Sequence, residues 1–137
     1  MRIFTDDGSS VDDAGLLRLA MEYVAERGGV VAQHAEDRGL SRGGHMHEGS
    51  VSSKLGIKGL PYAAEEIVVA RDLALARLTG VRYHVQHLSS AGTVPLVRQA
   101  KAEWGAWSVA TASTTPSRRA PRRESTSVDA RSGGYIL

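Results

Sequence analysis

At 137 residues, with 42% hydrophobic side chains and no cysteine, the chain has the size of one domain or of a piece of a larger one, with enough apolar residues for a core; a disulfide framework and a thiolate metal site are excluded. The formal charge of +2 comes from the C-terminal stretch, where five arginines stand against two acids from Ala110 onward, so residues 1–109 offer no basic face to nucleic acid. No apolar run approaches the ~18 residues of a membrane span, and the first residues lack the apolar segment of a secretory signal. The expectation is a cytoplasmic chain with neither a nucleic-acid nor a membrane partner.

Residues 2–5 predict a first strand that runs into the turn Asp6-Asp7-Gly8. Ser10-Val11-Asp12-Asp13 has the form of a capping box and predicts a helix over 11–27. Leu16, Leu19, Ala20, Tyr23 and Val24 would be its buried stripe, and Gly28-Gly29 its end. Residues 30–32 are short, continuous and apolar, as in a strand covered on both faces. A polar, Gly-rich loop over 36–59, with a helical turn or two, follows; its length suggests function. Pro61 opens a second helix to Thr79, with Ile67, Ala70, Ala74 and Leu78 as its stripe and Gly80 as its stop. Residues 82–86 form the third strand, and 90–103 a helix with Val94, Val97 and Ala100 on one side. Trp107-Ser108-Val109 begins a fourth strand. Residues 110–123 contain no large apolar side chain, so the chain is expected to be a disordered basic tail over 110–137.

The order β-α-β-loop-α-β-α-β predicts an α/β fold with a parallel sheet and crossover helices. A full (β/α)₈ barrel takes about 250 residues, so the chain supplies a partial TIM-type barrel of roughly four strands over 1–109. Chemistry in such sheets gathers at the carboxyl ends of the strands. His34 and His87 end two strands and Asp7 a third. An Asp and two His are suitable ligands for a divalent transition metal. Asp6 reads as a turn residue, His84 as a packing residue facing away from His87, and Ser89 and Ser90 as helix caps. His45-Met46-His47 resembles a His-x-His pair but reads as loop.

Four segments carry a specific likeness: Phe4-Thr5-Asp6-Asp7-Gly8, Val31-Ala32-Gln33-His34-Ala35-Glu36, Met46-His47-Glu48-Gly49 and Tyr83-His84-Val85-Gln86-His87-Leu88-Ser89-Ser90-Ala91-Gly92. In order and spacing they resemble the central part of bacterial dihydroorotase, of the amidohydrolase superfamily; Ala63-Ala64-Glu65-Glu66 and Ala70-Arg71-Asp72 fit the helix before its sixth strand. The resemblance covers about residues 2–103 and implies strands four to seven of a metal-dependent barrel. It makes Asp7 a bridging metal ligand, His34 the ligand after the fifth strand and His87 the ligand after the sixth. It implies two zinc ions, dihydroorotate as substrate, and reversible hydrolysis of that cyclic amide to carbamoyl aspartate. Related hydantoinases carry a carboxylated lysine where Asp7 stands, so Asp7 favours the dihydroorotase over the hydantoinase or allantoinase alternative. A further alternative is a non-catalytic scaffold that contacts aspartate carbamoyltransferase; a homo-oligomer is also compatible.

The family's Asp-x-His-x-His motif, its substrate-binding Arg and Asn and its last Asp ligand have no counterpart here. The chain alone is therefore expected to be catalytically inert, with at most partial zinc. Where the family continues with a seventh strand and a Pro-His-His segment, this chain reads Ser113-Thr114-Thr115-Pro116. An AGC-ACC-ACG codon run encodes Ser-Thr-Thr and contains His-His codons in another frame. The tail thus reads as that of a frameshifted or truncated gene product. Translating the other two frames of the encoding DNA is expected to uncover family-like sequence, and its absence from both would refute the frameshift.

Overall fold

The computed structural model describes residues 2–6, 8–104 and 109–111, and of the last three only the backbone. In chain order the elements are β1 (Ile3–Thr5), α1 (Ala14–Glu26), β2 (Val30–Gln33), α2 (Arg38–Ser41), β3 (Met46–His47), α3 (Ser50–Leu55), β4 (Gly59–Leu60), α4 (Ala63–Thr79), β5 (Arg82–Val85), α5 (Thr93–Trp104) and β6 (Val109–Thr111). β1, β2, β5 and β6 form one parallel sheet in that order. β3 and β4 form a second, two-stranded parallel pair inside the segment expected to be a loop. The α/β reading with crossover helices is what the chain adopts. Residues 105–108 and 112–137, including the start of the fourth strand at Trp107 and the expected disordered tail from 112 onward, lie outside the described residues; Ala110 and Thr111, expected to begin that tail, instead belong to β6 and pair with His84 and Val85.

Register decides which side chains share a face. Phe4, Val31 and Tyr83 lie side by side, as do Gln33 and Val85 two residues further along. Val31, Tyr83 and Val85 pack into the core with α1, α4 and α5, with Phe4 against its edge. The opposite face, with Ile3, Thr5, Val30, Arg82 and His84, is only partly covered, and Ile3 is 60% exposed. The second strand is nonetheless buried from Val31 to Gln33, with Ala32 on this open face only 3% exposed, and Val30 alone is partly uncovered.

The helices pack in a different phase from the one their apolar spacing suggests. α1 buries Leu17, Met21 and Val24, whereas Leu16, Leu19 and Tyr23 of the expected stripe are exposed. α4 buries Val68, Val69, Asp72, Leu73 and Ala76 and exposes Ile67, Ala70, Ala74 and Leu78. Both helices carry apolar residues on more than one side, so the spacing fits two phases and packing selects one. α5 is as expected, with Val97 and Ala100 buried.

Asp72 is fully buried in the stripe of α4. It accepts a 2.7 Å hydrogen bond from the Tyr83 hydroxyl and pairs with Arg71 at 2.8 Å. Arg71 also donates to the Asp12 carbonyl at 2.9 Å, which ties α4 to the chain entering α1. The capping box fails as well: α1 begins at Ala14, where Asp13 accepts from Leu16 N at 2.7 Å. Ser10 is drawn off to the end of β2 instead.

Candidate metal centre at the strand ends

Side chains lace three strand ends together. The Gln33 amide, oriented by its hydrogen-bonding partners, donates to both Asp6 carboxylate oxygens at 3.2 Å and accepts from Val11 N at 3.1 Å. Thr5 Oγ1 donates to Gln86 Oε1 at 3.0 Å, and Gln86 N donates to Gln33 O at 3.2 Å. Ser10 Oγ donates to His34 O and accepts from Glu36 N at 2.9 Å. These contacts fix where β1, β2 and β5 stop, and hence where the next side chains project. Asp6 is thus a turn and hydrogen-bonding residue. Gly8 leaves the strand end at φ +83°, a conformation that costs a residue without Cβ little.

His34 and His87 meet at this rim. His34 Nδ1 lies 2.9 Å from His87 Nε2, with ring centroids 4.6 Å apart and planes at 66°. The two residues are 53 positions apart in sequence, so only the parallel pairing of β2 with β5 brings them together. Asp7, the third expected ligand, lies outside the described residues. Among the described residues, no three His, Cys, Asp or Glu side chains gather to hold an ion. Bonds of about 2.0–2.1 Å to a zinc-like ion let two ligand atoms lie up to about 4 Å apart, so the two ring nitrogens fit as a pair of donors to one cation.

The histidines open onto a cleft of about 290 Å³ that also takes in Glu36, His47, Tyr62 and Glu65. Glu36 Oε2 is 3.6 Å from His34 Nε2, the nitrogen that faces away from His87. Nothing in the sequence around Glu36 signals its place beside His34. His47, expected in a loop, is carried to the cleft lining by β3. His84 is half-buried on the open sheet face, and burial lowers its pKa below the usual 6.5. Ser89 and Ser90 do precede a helix: their own backbone N–H groups donate to the Glu65 carboxylate from α4, while Ser90 O accepts from Thr93 N at 3.3 Å where α5 begins.

Residues 2–93 match the family model described as dihydro-orotase-like. The chain is 56% identical over 99 residues to a dihydroorotase of Pelotomaculum thermopropionicum, covering 72% of this chain and 23% of that protein. A dihydroorotase of Streptomyces coelicolor is 52% identical over 99 residues, with the same coverage. The chain thus spans about a quarter of the length of these curated relatives. Among solved structures, a D-hydantoinase (dihydropyrimidinase) from Thermus sp. superposes with a TM-score of 0.59 at 22% identity, covering 82% of this chain and 25% of that one. An L-hydantoinase from Arthrobacter aurescens gives 0.54 at 22% identity, covering 82% and 26%. At that identity the likeness is one of fold. No helix among the described residues is long and apolar enough to cross a membrane.

Proposed function

We propose, for a chain that belongs to the dihydroorotase-like family, that the His34–His87 corner is part of a divalent-metal site for cyclic-amide hydrolysis. Residues 1–109, together with Ala110 and Thr111 that complete β6, are read as one sector of a (β/α) barrel, strands four to seven. The observation that carries the reading is the 2.9 Å approach of His34 Nδ1 to His87 Nε2 at the carboxyl ends of adjacent parallel strands. Asp7, one residue beyond the Asp6 carboxylate that Gln33 holds, is assigned as the oxygen ligand. Zinc suits this nitrogen and carboxylate donor set.

A bound cation supplies Lewis-acid polarisation of an amide carbonyl and makes a water acidic near neutral pH. The chain's own residues do the positioning. His34 and His87 bring their facing nitrogens together at strand ends held by Gln33, Gln86 and Ser10; in the ion-free chain one of the two carries the proton of their 2.9 Å contact, which a bound cation would displace to take both lone pairs. Glu36 lies 3.6 Å from the second nitrogen of His34, beyond hydrogen-bond length but near enough for its charge to favour the tautomer with the N–H on that side. Dihydroorotate, a small cyclic amide, is the proposed substrate of the intact barrel. The ligands of this sector alone leave the chain inert.

Cobalt(II) tests the site without catalysis. The purified chain is expected to take up at most one equivalent, with visible absorption bands of a nitrogen-ligated ion. His34→Ala and His87→Ala each lose those bands. Tight uptake of two equivalents, or identical spectra in all three proteins, would contradict the assignment.

A further inference from the structure

The backbone at His87 is the one non-glycine residue with positive φ among the described residues, at +32°. Such a conformation is strained for a residue with a Cβ and persists only where surrounding contacts impose it. The contacts come from the first turn of α4. Glu65 Oε2 accepts from Ser89 N at 2.8 Å, and Glu65 Oε1 accepts from Ser90 N at 3.0 Å and from Thr93 Oγ1 at 2.6 Å. One carboxylate therefore takes two backbone donors and one hydroxyl from the seven residues that begin with His87. Thr93 is fully buried, so its hydroxyl has no ready substitute for this partner.

The neighbouring residue reinforces the hold. Ser90 Oγ donates to Glu66 Oε1 at 2.6 Å and accepts from Gly92 N at 3.2 Å. A Cβ at position 92 would overlap the Glu66 carboxylate, so glycine is what lets that carboxylate reach Ser90. The turn that leads into α5 is thus held from within the chain by the two carboxylates of α4.

We infer that Glu65 is a positioning residue: by clamping the segment that follows His87, it holds that backbone at positive φ and aims His87 Nε2 at His34 Nδ1. The functional consequence rests on the metal-site reading above; the geometric one does not. Relaxing His87 toward ordinary φ would swing its ring away from its partner. Charge-assisted hydrogen bonds to a carboxylate are strong enough to oppose this, and three converge on one group.

The test uses the metal-free chain first. An NOE between the ring protons of His34 and His87 is expected in the wild type and is lost in Glu65→Ala. It persists in Tyr83→Phe, which loosens the core at Asp72 but leaves the clamp intact. With cobalt(II), Glu65→Ala is expected to bind about tenfold more weakly than wild type, as for loss of other groups that orient ligands. If Glu65→Ala fails to fold by circular dichroism, Glu65→Gln, which keeps one carbonyl acceptor, is expected to weaken both signals in the same direction. A ring-to-ring NOE that survives in the folded Glu65 variant, or an equal loss in Tyr83→Phe, overturns the inference. So does an unchanged cobalt affinity when wild-type binding depends on His34. Failure of the metal reading shows separately: wild type and His34→Ala then take up cobalt alike, while the NOE still decides the role of Glu65.

Discussion

Grafted in place of the matching stretch of the Pelotomaculum dihydroorotase, residues 2–93 of this chain are expected to support turnover of dihydroorotate, and His34→Ala or His87→Ala in that chimera to abolish it. The relative is 56% identical over 99 residues, which makes it a suitable host for the exchange. In the chimera the missing ligands come from the host barrel, and the two histidines are tested for the role proposed here. Metal polarisation contributes several kcal/mol to such a reaction, so loss of one nitrogen ligand is expected to cost about a thousandfold or more in kcat/KM. The check is the ultraviolet assay of ring opening alongside metal content per protomer. A folded chimera in which either alanine variant keeps more than a tenth of the parent rate would remove His34 and His87 from the machinery.

Asp72→Ala is expected to be the most damaging single change to stability. It leaves the Tyr83 hydroxyl without its acceptor and Arg71 without its counter-charge, inside a core where Asp72 itself has no exposure. Breaking a buried pair by removing one partner costs about 3–5 kcal/mol; Arg71 retains 23% exposure and can recover some hydration, which puts the expected loss near the lower figure. Urea unfolding followed by circular dichroism measures it. Asp72→Asn tests the charge separately. Burial, the largest influence, raises the Asp72 pKa above 3.8 against the opposing pulls of Tyr83 and Arg71. The folded chain therefore holds this proton to a higher pH than the unfolded chain does. The contribution to stability is present below about pH 3.8, falls as pH rises through the raised folded pKa, and then levels. Asp72→Asn keeps an oxygen for Tyr83 and lacks that fall. Parallel pH profiles for the two proteins would refute the assignment.

The same aspartate explains why the buried face of α4 was illegible in the sequence. A carboxylate flanked by Val68, Val69, Leu73 and Ala76 makes that stripe look interrupted, while Ile67, Ala70, Ala74 and Leu78 read as an unbroken one. The compensating hydroxyl lies 11 residues away on β5 and is invisible to any helical period. Ser10 misled in the same way. Its local sequence is that of a cap, but its hydroxyl gains two partners at the end of β2, and Asp13 caps α1 instead. Short-range pattern stated what each residue was able to do, and long-range geometry chose among the options.

What the sequence by itself determined was the alternation of strands and helices, the parallel sheet this implies, and the two histidines at strand ends. These follow from local apolar period, from glycine and proline punctuation, and from a crossover needing a helix. Only the tertiary structure decided the phase of α1 and α4, the delivery of His47 and Glu65 to the cleft, and the approach of His34 to His87. Each of those depends on which elements pack side by side, and the cost of an unpaired buried polar group or an exposed apolar face is settled between elements, not within one.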